Sequence, residues 1–176
     1  MSASARNMPF GSYDAGTGYA DCVGQQTIGS DFDVVLNSNI DRRYRFVKNS
    51  SGGVLNSARG LKWKAGKFGK EVDLPANGAP IVGYTPYYIE GAIANTIPNN
   101  AYFWMVEEGP VTVATDGASI AEGDLVEIGT VSGCVKTAAA ALAANSSVRG
   151  GRAMAAAAAR GTGAQVYVRV NATCRP

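Results

Sequence analysis

Residues 101–133, AYFWMVEEGPVTVATDGASIAEGDLVEIGTVSG, decide how this chain is read. Short alternating or apolar runs are cut by Gly, Pro and Asp, the pattern of a small β-domain rather than of helices. Residues 101–106 are apolar on both faces and predict a buried strand. Gly109-Pro110 predicts a break there, with Val111-Thr112-Val113 restarting in a new direction. The segment 118–126, ASIAEGDLV, marks a turn entering a strand. Leu125-Val126-Glu127-Ile128 and Cys134-Val135-Lys136 then pair as a hairpin.

Outward from this core the same grammar continues. Residues 165–170, QVYVRV, alternate cleanly and predict a terminal strand. Arg43-Tyr44-Arg45-Phe46-Val47 and Leu61-Lys62-Trp63-Lys64 alternate cation with aromatic or apolar residue, and Asn49-Ser50-Ser51-Gly52-Gly53 turns the chain between them. Period-2 geometry puts Tyr44 and Phe46 opposite Arg43 and Arg45, and Leu61 and Trp63 opposite Lys62 and Lys64. If the two strands share a sheet, one face is aromatic core and the other basic. Short strands are also expected at 71–74 and 81–84. Residues 90–97 read as one helical turn or a loop. Of the two alanine runs, 138–144 reads as helix on propensity. The run 153–159, bracketed by glycines, reads as a strand. Residues 1–40, rich in Gly, Ser, Asn and Asp with scattered Phe10, Tyr13, Tyr19 and Phe32, keep no period. They predict an extended N-terminal arm that orders against a partner. The expectation is all-β: a compact β-barrel or β-tulip domain at 41–176 carrying that arm at 1–40.

Charge is polarised. Nine basic residues and no acidic one lie between Arg42 and Lys70, while the rest of the chain holds seven basic against fourteen acidic residues. A surface divided in this way suits electrostatic docking. Arg42, Arg43, Arg45, Arg59, Lys62 and Lys64, with Phe10, Tyr13 and Tyr19 of the arm, are therefore the candidate partner-binding residues. A solvated basic face and a phosphate-binding face are the competing readings of the same block. Bases stacked on Tyr44, Phe46 or Trp63 would face away from the cations of the same strand, so nucleic acid ranks behind protein docking.

Catalytic chemistry finds little to work with. The chain has no histidine, so neither a Ser-His-Asp nor a Cys-His scheme can be written. Three widely spaced cysteines, Cys22, Cys134 and Cys174, match no zinc spacing and read as free thiols. The carboxylate pairs Glu107-Glu108, Glu122 with Asp124, and Asp31 with Asp33 read as solvated surface charge. None predicts two carboxyls facing across a cleft or a calcium loop. Gly16-Thr17-Gly18 and Gly161-Thr162-Gly163 read as turns, not phosphate loops. No catalytic residue, cofactor or metal is expected. The opening MSASARNMPFGSYDAGTG has no apolar core of the kind a secretory signal carries, and no apolar run reaches membrane-span length. The sequons at Asn49, Asn145 and Asn171 carry little weight.

The order of Ile81-Val82-Gly83-Tyr84, then 102–113 (YFWMVEEGPVTV), then 120–126 (IAEGDLV), resembles the capsid cement (head decoration) proteins of tailed bacteriophages. A small-residue strand at 151–158 and the closing Val166, Val168 and Val170 extend the resemblance over roughly 44–171. The N-terminal arm and the basic block depart from it. What the resemblance implies is a structural virion protein, not an enzyme. It would bind the outside of the phage capsid and stiffen the shell by bridging neighbouring subunits of the major capsid protein. It would sit on the capsid surface in the virion and in the host cytoplasm during assembly. Symmetric sites on a shell favour a homo-oligomer, a trimer first and a dimer second. A non-specific nucleic-acid-binding barrel and a head-tail or tail component are the alternatives.

Overall fold

A computed structural model describes residues 31–37, 40–86, 96–117, 119–138, 150–157 and 165–170, with 31–37, 40–42 and 165–170 described as backbone. Among these residues every regular element is a strand. The strands are β1 (Asp31–Asn37), β2 (Ile40–Asn49), β3 (Leu55–Asn56), β4 (Gly60–Trp63), β5 (Glu71–Asp73) and β6 (Gly83–Tyr84). They continue with β7 (Thr96–Ile97), β8 (Tyr102–Ala114), β9 (Leu125–Ile128), β10 (Val135–Thr137), β11 (Gly151–Ala153) and β12 (Gln165–Val170).

Five strands close into a barrel. The order β2-β5-β4-β6-β8 returns to its start because β8 also pairs with β2, from Arg43↔Glu108 to Lys48↔Tyr102. All these pairings are antiparallel except β2 with β5. The C-terminal half of β8 leaves the ring and leads a second run of strands, β8-β12-β11-β9-β10. That run curls back, since Thr115 bridges Val135 in parallel and Asp116 N donates to Val135 O.

Alternation along β2 and β8 therefore serves two cores. Val47, Phe103 and Met105 face into the barrel with Leu61 and Val72. Tyr44, Phe46, Trp104 and Val106 face out of it and are buried with Val126, Ile128, Val135 and Ala153 of the second half. Phe46 lies between Trp104 and Tyr102, with ring centroids 5.2 and 5.9 Å away. A full turn of the alternation is thus buried on both sides, and the barrel is one wall of a larger core. At Gly83 the barrel wall leaves no room: a Cβ there would lie 2.6 Å from the Met105 thioether. Tyr84, one residue on, points outward, and its hydroxyl donates to the carbonyl of Gly150 at 2.9 Å.

Several sequence expectations are corrected. Gly109-Pro110 does not break the strand; β8 runs through it for 13 residues. The strain goes into a bulge between Val106 and Glu108 opposite Arg43, and into Gly109 at φ 101°, the two devices by which a strand bends without ending. Leu61 and Trp63 do not share a face with Tyr44 and Phe46. β5 separates β2 from β4, and Leu61 and Trp63 belong to the barrel interior. Of the alanine run at 153–159, described as far as Ala157, only Ala153 belongs to a strand: β11 ends there, and Ala157 makes an isolated bridge to Ile120. Residues 31–37, expected within an arm without period, form β1. Its register with β2 sets Asp31 across from Arg45 and Asp33 across from Arg43. The helix reading of 138–144 falls, beyond Ala138, outside the described residues, as does most of 90–97. Thr96–Ile97 is β7, paired with β3.

Asn49 ties the base of the barrel together. It is fully buried, and the two N–H groups of its side-chain amide are shared among the carbonyls of Gly53, Ile97 and Pro98, 2.9–3.0 Å from the nitrogen. Its Oδ1 accepts from the amide and hydroxyl of Ser51. One side chain thus satisfies the chain leaving β2 and the chain leaving β7. This burial also removes the Asn49 sequon from consideration as a surface site. Replacing Asn49 by Ala should cost roughly 3 kcal/mol, since at least two or three buried polar groups lose their partner. A urea titration followed by tryptophan fluorescence would measure it.

Candidate docking surface

The nine basic residues of 42–70 are not one patch. Among the eight whose side chains are described, the structure separates Arg43, Arg45 and Arg59 from a group of five lysines.

Arg45 points into the barrel. Its Nε lies 3.1 Å from Glu107 Oε1, and Nη2 donates to Oε2 at 3.4 Å. Both side chains are largely removed from solvent, at 17% and 5% exposure. The guanidinium carbon sits 5.9 Å from the centre of the Trp63 ring, a cation–π approach from the barrel wall. Arg45 is therefore structural, closing one end of the barrel above Met105, its backbone neighbour across the β2–β8 pairing. The expectation that Glu107 is solvated surface charge is corrected by the same contact. The β8 bulge turns Glu107 inward and leaves Glu108 outside, 3.6 Å from Arg43. Glu127 is likewise buried, 3.5 Å from Lys136. Asp124 is a turn residue, accepting from Ala121 N and Thr137 Oγ1.

Arg59 lies before β4, at the far end of that strand from Lys64. Its amide donates to Thr85 Oγ1, and its guanidinium contacts the sulfur of Cys134. It lines a shallow depression of about 200 Å³ with Val54, Asn56, Leu74, Val131 and Ser132. Burial raises the Cys134 thiol above its ordinary range, and the nearby Arg59 charge opposes this only in part.

The five lysines of the block gather at the β4–β5 connection. Lys62 and Lys64 lie on β4 and just beyond it, Lys67 and Lys70 in the loop, and Lys48 on β2, across from Glu71 of β5. Lys64 pairs with Asp73 at 3.4 Å. Among the described residues Lys48, Lys62, Lys67 and Lys70 have no ion-pair partner. The loop is built, not slack. Lys67 N donates to Lys64 O, and Lys70 N and Glu71 N both donate to Lys67 O. Lys48 N reaches Lys70 O, and Lys64 N reaches Glu71 O. Gly66 and Gly69 hold the left-handed conformations its two tight turns require, at φ 73° and 76°. A Cβ on Gly69 would touch Arg45 Nη1 at 3.4 Å, so the loop rests on the closed barrel end. At its tip Phe68 is 61% exposed, the most exposed of the large apolar side chains described.

Of the residues expected to bind a partner, Lys62 and Lys64 flank this loop, Arg45 lies beneath it in the barrel end, and Arg43 and Arg59 lie elsewhere. Arg42 is described only as backbone, opposite Val34. Phe10, Tyr13 and Tyr19 lie outside the described residues. Phe68 was not among the candidates. Its signal was an aromatic residue inside Ala65-Gly66-Lys67-Phe68-Gly69-Lys70, where no alternation could give it a core face. No group of three metal-ligating side chains occurs among the described residues. No helix among them is long and apolar enough to cross a membrane, which says nothing about crossing with strands.

In sequence, no protein family and no curated protein matches the chain.

The buried pair can be tested directly. Arg45→Met leaves the inward Glu107 carboxylate without its guanidinium and should destabilise the fold by about 3 kcal/mol or more. Arg45→Met with Glu107→Leu should recover most of that loss, because two apolar groups of similar size need no pairing. Denaturant midpoints of the three proteins decide it.

Proposed function

We propose that this protein is a structural component of a phage virion that binds the outer face of the capsid and clamps neighbouring capsid subunits together. The observation that carries the reading is the β4–β5 loop: a pre-formed cationic projection with an exposed aromatic tip, seated on a closed barrel. A rigid loop loses little conformational freedom when it docks, so more of its contact energy appears as affinity. Its positive charge suits the acidic face of another protein and speeds encounter with it.

The resemblance to head decoration proteins supports the same reading. The segments that carry it fall on β6, β8, the Ile120 bridge, β9, β11 and β12, in chain order. Binding several subunits at once would make modest contacts add up, because after the first engagement the second is intramolecular. The N-terminal segment with Phe10, Tyr13 and Tyr19 is proposed as a second arm of contact. Copies of the chain are proposed to assemble as a trimer, or failing that a dimer, on symmetric sites of the shell. The partner is then the major capsid protein, and the work is mechanical, with no reaction catalysed.

Nucleic acid remains the rival for a basic surface. Against it, Glu71 and Asp73 lie within the lysine cluster, Glu71 held by Ser50 Oγ at 2.6 Å and Asp73 by Lys64. A phosphate backbone would meet those carboxylates, whereas a protein surface can answer a mixed pattern with its own mixed pattern.

Purified protein mixed with undecorated expanded heads should co-sediment with them at a fixed ratio per capsid subunit. Raising salt from about 0.05 to 0.5 M should weaken that binding, as exposed charges are screened. Protein that stays in the supernatant at every salt concentration would overturn the reading.

A further inference from the structure

We propose that Phe68 is the anchor of the docking contact, entering an apolar recess on the partner that is rimmed by carboxylates meeting Lys67, Lys70, Lys62 and Lys48. The proposal rests on the capsid reading above and adds to it the residue and the chemistry of the contact.

Three large apolar side chains stand out from the described surface: Val54, Phe68 and Met154. Val54 borders the depression that holds Arg59. Met154 follows Arg152, whose guanidinium is bonded to the carbonyl of Gly123. Only Phe68 is aromatic, and it shares its loop with Lys67 and Lys70, which have no ion-pair partner among the described residues. An exposed Phe costs solubility, and Phe68 is neither in the barrel core nor among the side chains packed against it. Hot spots of protein interfaces have this composition, an aromatic side chain that becomes fully desolvated within a ring of polar contacts. The loop's hydrogen bonds to β2 and β5 fix the backbone on which the ring is presented, so docking need not order it.

Charge selects the occupant. Two copies meeting loop to loop across a two-fold axis would bring Lys67 and Lys70 of each against their equivalents, which repels. An acidic surface on a different protein removes that repulsion and supplies partners to four lysines. Lys64 stays with Asp73 and takes no part.

The test compares five proteins on undecorated heads: unaltered, Phe68→Ser, Phe68→Tyr, Met154→Ser and, at several salt concentrations, Lys67→Glu/Lys70→Glu. Phe68→Ser should keep the thermal midpoint of the unaltered protein and lose about tenfold or more in affinity. Phe68→Tyr should retain most of the binding, and Met154→Ser all of it. The double charge reversal should bind weakly and lose most of its salt dependence. If the unaltered protein binds and Phe68→Ser binds equally well, the anchor is wrong and the capsid reading survives. If the unaltered protein does not bind heads at all, both fall. Tight Phe68-dependent binding to a single-stranded oligonucleotide in place of heads would overturn the acidic-protein partner.

Discussion

The pairing of β2 with β8 is the constraint on which the rest of this structure depends. It closes the ring, since without it β2-β5-β4-β6-β8 would be an open sheet with two exposed edges. It also places Arg45 beside Glu107 and Phe46 beside Trp104. Because both strands are apolar on alternate faces, one set of hydrogen bonds supports the barrel interior and the core shared with the second half. The bulge at Glu107 is where these demands meet. It turns one carboxylate inward to Arg45, and with Gly109 it lets β8 continue into a second set of partners. A strand of 13 residues is long for a chain of this size. Its length is explained by its double employment.

Much of this was legible in the sequence, for physical reasons that can be named. Clean alternation at 165–170 and at 43–47, and turn residues around 52–53 and 123, are local signals, and the elements they mark are present. Gly109-Pro110 was misleading because a proline in a strand is usually a break. Here the adjacent bulge and left-handed Gly109 absorb the bend, and both depend on a partner strand that is 60 residues away in sequence. The inward turn of Arg45 had the same origin. Period 2 separates Arg45 from Phe46, yet it does not say which side of the ring is inside. Once a barrel closes, the side away from the larger aromatic residues can be the interior, and Arg45 then needs Glu107. Phe68 escaped for the opposite reason: it belongs to no period at all, so pattern reading passed over it.

The same closure explains why the surface is organised as it is. Arg45 is withdrawn to the barrel end, Arg43 is held by Glu108, and Arg59 is engaged with Thr85 and Cys134. The lysines of the block lie in and beside the short loop that rests on Arg45. Among the described residues, Arg43, Arg45 and Arg59 are each engaged by neighbouring groups, while Lys48, Lys62, Lys67 and Lys70 form a cationic cluster without ion-pair partners. Such a feature orients an approaching acidic surface more sharply than scattered charge does.

Native-state hydrogen exchange tests the central claim most directly. If the β2–β8 seam holds the barrel shut, the amides it protects on Tyr44–Val47 and Phe103–Val106 should be among the slowest in the protein and exchange together, near the free energy of global unfolding. Exchange of those amides as fast as the exposed link at 52–54, with the β9–β10 and β8–β12 pairings still protected, would contradict it.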